Sequence, residues 1–221
     1  MLNTQFPRVA GDIGNPGTFD HQAVYYRVDQ AMVKTIVSNQ PLSETLLEEF
    51  VKGTHALKQM GASVVGTSCG FLASCQARIQ RRTDIPVITS SLVLIPTLQT
   101  LFGDDVIIGV LTFDNQKLGS IHLALTEEKE ISASIRIAGL PQDGELYQCI
   151  KNDHLTLDTN LAWGDVRATT QSMVAAHPQI DVLLIECTNI SPYKARLRAE
   201  FGLPVFDLVD ALKWIDQSSS S

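Results

Sequence analysis

Short apolar runs alternate with amphipathic stretches along the chain. That alternation predicts an α/β protein with parallel strands. Arg8 to Asp12 is predicted as a first strand, followed by a glycine- and proline-rich loop from Gly14 to Phe19. A helix is expected from about Ser43, a suitable N-cap, to Gly61, a suitable residue just past a helix end. Leu46, Leu47, Phe50, Leu57 and Met60 share one face of it. Next come a strand-like run from Gly61 to Cys69, a helix from Gly70 to about Arg81, a short strand from Pro86 to Thr89 and a helix from Leu92 to Leu101. The second half restarts with the most strand-like segment of the chain, Asp105 to Thr112. A helix from about Gln116 to Leu125, a strand within 131–137 and a helix from Asp158 to Ala176, stopped by Pro178, follow it. A strand ending at Cys187, a helix through about Phe201, a strand from Pro204 to Asp207 and a helix from Val209 to Ile215 complete the pattern.

The two halves share an order of elements. In each, an apolar run delivers a cysteine at its carboxyl end, and a proline-led strand begins 17 positions later, at Pro86 after Cys69 and at Pro204 after Cys187. This spacing supports an internal duplication. The expected architecture is α/β, with two pseudo-symmetric Rossmann-like lobes, each built on a parallel sheet, and an active-site cleft between them. The N-terminal lobe is expected to hold 1–98 plus 206–221, and the C-terminal lobe 99–205.

In such sheets ligands bind at the carboxyl edge of the strands. A free cysteine is most often a small buried hydrophobe, and Cys75 and Cys149 fit that role. Cys69 and Cys187 differ, because each ends its strand and leads into a helix, where the dipole and free N–H groups favour a thiolate. Two thiols brought from two lobes to one substrate suit two-base proton transfer. Asp12 is either a turn residue or a carboxylate beside Cys69 that orients a substrate or assists proton transfer.

Composition narrows the function further. Hydrophobic residues make up 44% and charged residues 19% of the chain, as in an ordinary globular protein. A formal net charge of −7 argues against nucleic acid as a partner. No apolar run reaches the ~18 residues of a membrane span, and no signal peptide is read at the N-terminus. Four cysteines without a C-x-x-C pair suggest reduced thiols in a cytoplasmic protein. The five histidines have no metal-ligand spacing, and Gly14-Asn15-Pro16-Gly17 is no nucleotide motif. Asn189-Ile190-Ser191 matches a glycosylation sequon by chance, and the serine tail from Ser218 to Ser221 is expected to fray.

Asp181 to Thr188, an apolar strand followed by Glu-Cys-Thr, resembles the second cysteine motif of the aspartate/glutamate racemase superfamily, where the strand leads into Gly-Cys-Thr. Gly61 to Cys69 resembles the first motif, which ends Cys-Asn-Thr. Val9 to Gly14 is similar to the family's opening strand, and Gly109 to Thr112 to the strand that starts its second lobe. The resemblance covers nearly the whole chain. It implies a racemase or epimerase of an amino acid or related carboxylate, with Cys69 and Cys187 as proton carriers. No pyridoxal phosphate, other cofactor or metal is expected, and a homodimer is. Asp12, Ser68, Gly70, Phe71, Thr112, Thr188 and Asn189 are the implied substrate-binding residues.

Several neighbours depart from the family pattern. Gly70 and Phe71 replace Asn-Thr, Ile13 replaces a hydroxyl residue, Glu186 replaces glycine, and Asn189 stands where glutamate racemases carry histidine. A bulkier or less polar substrate than aspartate or glutamate suits Ile13 and Phe71 better. The alternatives are an isomerase of the maleate isomerase type, a decarboxylase of the arylmalonate type, or a small-ligand-binding protein without turnover.

Overall fold

A computed structural model describes residues 1–124 and 134–219. In the first half, α1 (Val33–Ile36) and α2 (Glu44–Gln59) precede β1 (Val65–Gly66), α3 (Gln76–Gln80), β2 (Val87–Ile88) and α4 (Ile95–Phe102). The second half runs β3 (Ile108–Thr112), α5 (Ser120–Leu123), β4 (Ile135–Gly139), α6 (Glu145–Asn152), α7 (Thr159–Ala176), β5 (Val182–Ile185), α8 (Lys194–Phe201), β6 (Val205–Phe206) and α9 (Leu208–Ser219). All strand pairings are parallel, in a sheet of order β1-β2 and a sheet of order β4-β3-β5-β6.

The repeat is visible in the register. Val65 faces Val87 and Leu183 faces Val205, so each partner lies 22 positions further on in both lobes. β3 and β5 are the inner strands of the larger sheet and are covered on both faces. Every residue of both is buried, which is why they read as unbroken apolar runs. After β2, the 3-10 turn Ser91–Leu94 reaches the other lobe, where Ser91 Oγ donates to the Ile185 carbonyl (2.7 Å). After β6, α9 crosses in the opposite sense. It packs against β1 and β2, with Leu208, Ala211 and Leu212 clustered on Ile13 and Ile88.

Three expectations change. Arg8 to Asp12 is a turn rather than a strand: Asp12 N–H donates to the Val9 carbonyl (3.0 Å), and Gly11 takes a φ of 99°. Proline at position 7 offers no ladder donor, and the Asp12 side chain accepts from Gly14 N–H (2.7 Å), which turns the backbone out of the extended form. The helix expected from Gln116 is confined to Ser120–Leu123 within the described residues. Asp114 accepts from the backbone of Gln116, Lys117 and Leu118 and holds a turn there. Leu125 and residues 131–133 of the expected strand lie outside the described residues, as do Ser220 and Ser221 of the serine tail. β4 begins at Ile135, and α9 extends through Ser219. No helix among the described residues is long and apolar enough to cross a membrane.

Candidate active site

Each cysteine stands just past the carboxyl end of its strand. Beyond β1, Thr67 Oγ1 donates to the Thr89 carbonyl (2.6 Å) and ties this loop to the end of β2. Cys69 then caps a 3-10 turn, Gly70–Cys75, rather than an α-helix. Beyond β5, the N–H groups of Glu186 and Cys187 both donate to the Leu111 carbonyl (2.8 and 3.3 Å), prolonging the β3–β5 ladder. Ile190 N–H donates back to the Cys187 carbonyl (2.9 Å) and closes a turn.

The two cysteines line one cavity of about 20 Å³, together with Ser68, Gly70, Phe71, Thr188 and Asn189. Seven residues singled out from the sequence therefore meet at one place. Thr112 lies behind it, and its hydroxyl donates to Glu186 Oε2 (2.6 Å). Asp12 is buried behind the wall. Its carboxylate accepts from Arg8 (3.2 and 3.3 Å), from Gly14 N–H and from Asn189 Nδ2 (2.7 Å), so it positions two cavity residues. Thr188 Oγ1 donates to the Ser68 carbonyl (3.0 Å) and pins the two lobes together at the cavity floor. Cys75 and Cys149 are buried elsewhere in the core.

Two cavity residues carry more chemistry than the sequence suggested. Arg8 is the only cationic side chain lining the cavity among the described residues. Its spacing of four from Asp12, in a segment expected to be a strand, hid their contact. Glu186 is 1% exposed, and its Oε1 has no hydrogen-bond partner. A carboxylate replacing glycine beside a cysteine was the available signal.

Burial pushes the Cys69 thiol up to about 12, with the Glu186 charge adding to it. Cys69 as a residue is only half-buried, but its thiol lines a narrow cavity, so desolvation still dominates. Cys187 is also raised well above the usual thiol range, by burial and then by Glu186. The Phe71 and Asn189 N–H groups favour the thiolates, as expected at turn starts, but desolvation outweighs them. In the free protein both groups are thiols at neutral pH.

Burial also raises Glu186 to about 7, against the pull of the Thr112 hydroxyl. A carboxyl raised in this way keeps its proton in the fold while the unfolded chain ionises. The stability it contributes is complete below pH 4.5 and falls as pH rises towards 7. The loss is roughly 3 kcal/mol. Glu186→Gln is expected to flatten this fall and to be the more stable protein at pH 8, which urea unfolding at pH 5 and pH 8 would measure. Equal slopes for the two proteins would contradict the placement of Glu186.

The cavity is covered by Leu2 and Phe6 from the N-terminal segment and by Val33 and Val37 around α1. The cover is latched at Asp153, whose Oδ1 accepts from the N–H groups of Gln5 (2.7 Å) and Phe6 (2.9 Å). Asp153 has a φ of 55° at the C-cap of α6. Asp153→Ala removes both bonds and strains that backbone, at an expected cost of about 1–3 kcal/mol. Asp153→Asn keeps an acceptor and suits a left-handed cap. Thermal melts should show a clear drop for the first and little change for the second. A larger cavity of about 350 Å³ lies beyond Ser68, between residues 19–26, β1 and α9, and contains neither cysteine. Among the described residues, no group of three or more His, Cys, Asp or Glu could hold a metal ion.

No family model matches the chain. It is 29% identical over 212 residues to a dimethylsulfoniopropionate lyase of Durusdinium sp. clade D, covering 94% of this chain and 69% of that protein. It is 26% identical over 216 residues to dimethylsulfoniopropionate lyase 6 of Emiliania huxleyi, covering 94% of this chain and 55% of the relative. The chain thus spans about half to two thirds of the length of these curated relatives. Among solved structures, the allantoin racemase from Klebsiella pneumoniae matches with a TM-score of 0.54 and 17% identity, over 78% of this chain and 65% of that one. The Picrophilus torridus aspartate racemase matches with a TM-score of 0.51 and 17% identity, over 80% and 71%. The fold is that of the aspartate and allantoin racemases. On this two-lobed fold, the pair of strand-end cysteines lies between the sheets, where Thr188 and Ser68 join them.

Proposed function

We propose that this chain is a lyase acting on a small carboxylate with a sulfonium group on the next carbon but one, dimethylsulfoniopropionate being the type substrate. The observation that carries this reading is the similarity to dimethylsulfoniopropionate lyases over 94% of the chain, a span that takes in both cysteine segments. The cavity supplies parts that suit the chemistry. A thiolate from the Cys69–Cys187 pair takes the proton from the carbon next to the carboxylate. The C–H electron pair becomes the new C=C bond, and the C–S bond breaks with its electrons going to sulfur. The products are acrylate, neutral dimethyl sulfide and, after the thiol returns its proton to water, one proton. Arg8, which lines the cavity while bonded to Asp12 and Thr4, is the cationic group that would attract the carboxylate.

The thiols of the free protein are protonated, so the base must be generated when substrate arrives. A sulfonium cation beside a buried thiol favours the thiolate, and the substrate brings that cation with it. A racemase or epimerase remains the competing reading because the cavity holds two thiols. Incubation with dimethylsulfoniopropionate in deuterated water, followed by headspace assay for dimethyl sulfide and NMR for acrylate, tests the proposal. Release of both in equal amounts supports the lyase. No release, together with deuterium entry next to the carboxylate of amino or hydroxy acids, would replace it with the racemase.

A further inference from the structure

Glu186 is a carboxylic acid buried in a cavity that also contains both thiols, and nothing in the proposed proton transfer requires it. Its Oε2 is held by the Thr112 hydroxyl at 2.6 Å, whereas Oε1 has no partner. Neither oxygen is tied to a lysine or arginine. A buried carboxyl left half-satisfied is costly, and a ligand that brings a cation or a donor to Oε1 would relieve that cost. Phe71 and Phe113 line the same cavity, as does Phe6, whose ring carries the Arg8 guanidinium at 4.3 Å. Aromatic faces with a nearby carboxylate are the environment that selects an onium ion, which has methyl groups and a spread positive charge but no N–H or O–H to donate.

We infer that Glu186 is the residue that receives the positively charged end of the substrate, with the Phe71 and Phe113 rings against its methyl groups and Arg8, stacked on Phe6, left for the carboxylate end. The inference rests on the lyase reading for the presence of a sulfonium, but it concerns recognition of charge and not the elimination. It assigns the site to zwitterions with an onium and a carboxylate about two carbons apart, and it gives a reason for glutamate at position 186. The seated cation pairs with Glu186 and at the same time offsets the carboxylate's effect on Cys69 and Cys187. The thiol base would thereby become available only under a correctly charged ligand.

The ionisable groups that share the cavity with Glu186 are Cys69, Cys187 and Arg8, with Asp12 bonded to Arg8. Of these, Glu186 is the group that changes charge near neutrality, its carboxyl having been raised to about 7 by burial. Binding of an onium should therefore strengthen as pH rises from 6 to 8 and should release a proton near pH 6.5. The cavity in its present form has room for about one water, so the Leu2–Phe6 cover must move outward as ligand enters.

The test uses calorimetry with two unreactive acids of matched shape, 3-(trimethylammonio)propionate and its uncharged carbon isostere 4,4-dimethylpentanoate. Wild type is expected to prefer the charged acid by at least about tenfold at pH 8, with the preference shrinking at pH 6. Glu186→Gln is expected to bind both acids alike. If that variant does not fold, the pH dependence of the wild-type preference decides alone. Retention of the preference in Glu186→Gln, its absence in wild type, or failure of both acids to bind would overturn the inference. Charge preference without dimethyl sulfide release would defeat the lyase reading and leave this one standing. Dimethyl sulfide release with unaltered charge preference in Glu186→Gln would do the reverse.

Discussion

Replacing Cys69 or Cys187 by serine is expected to lower dimethyl sulfide release by about 10²- to 10⁴-fold at whichever position supplies the base, the usual worth of a positioned general base. Serine keeps the shape of the side chain but has far less tendency to ionise. The two variants are expected to differ from one another, because an elimination that expels a neutral sulfide needs one base and no acid. A racemase would need both thiols, one to remove a proton and one to return it, and the two losses would then be alike. The measurement is kcat/KM for each variant beside wild type, with thermal melts to show that both fold. Losses smaller than about tenfold at both positions would remove the cysteines from the chemistry altogether.

Gly70→Ala is expected to damage both stability and activity severely. A β-carbon at position 70 would stand 2.5 Å from the Glu186 carbonyl oxygen and 2.6 Å from its carboxyl carbon, closer than real contacts allow. One of those atoms is backbone at the end of β5, held by the Glu186 N–H bond to Leu111, so it cannot move aside cheaply. The cost is expected at about 2–4 kcal/mol, in the range of core overpacking with displacement of a buried charge. The double variant Gly70→Ala with Glu186→Gly should recover only the part of the loss due to the carboxyl group, since the clash with the backbone carbonyl of residue 186 stays. It should not recover the preference for a cationic ligand. Urea unfolding of the two proteins would show the rescue, and a double variant no more stable than the single would place the clash elsewhere.

That pair also shows how far the sequence could be read. The racemase motifs place a small residue before the second cysteine and asparagine after the first. Here the small residue, Gly70, follows the first cysteine and a large one, Glu186, precedes the second. Taken one at a time, both positions read as departures. Only the contact between them shows a single exchange of space across the two lobes. The α/β class, the parallel strands and both strand-end cysteines were legible because buried parallel strands leave continuous apolar runs and because the repeat keeps its spacing. The first strand was misread, since an apolar spelling from Arg8 to Asp12 does not reveal a positive φ at Gly11 or a side-chain bond from Asp12 to its own backbone. Arg8 was missed as a cavity residue for the same reason. The cover formed by Leu2, Phe6, Val33 and Val37 had no periodic signature, because most of it is irregular chain held by Asp153 from far along the sequence.

The exchange of terminal segments between the lobes also constrains how the protein comes into being. One face of the β1-β2 sheet is covered by α9, and Ser63 beside β1 donates to Asp216 of that helix (2.6 Å), 153 positions further along the chain. During synthesis the first lobe therefore cannot complete its core until residues 208–219 have emerged, however early its own strands are made. An N-terminal half made alone would leave Ile13 and Ile88 uncovered. Long-range closure of this kind slows folding and exposes apolar surface to aggregation in the interval. Because α9 packs on β1 and β2, loss of the last helix should be felt first at the opposite end of the chain.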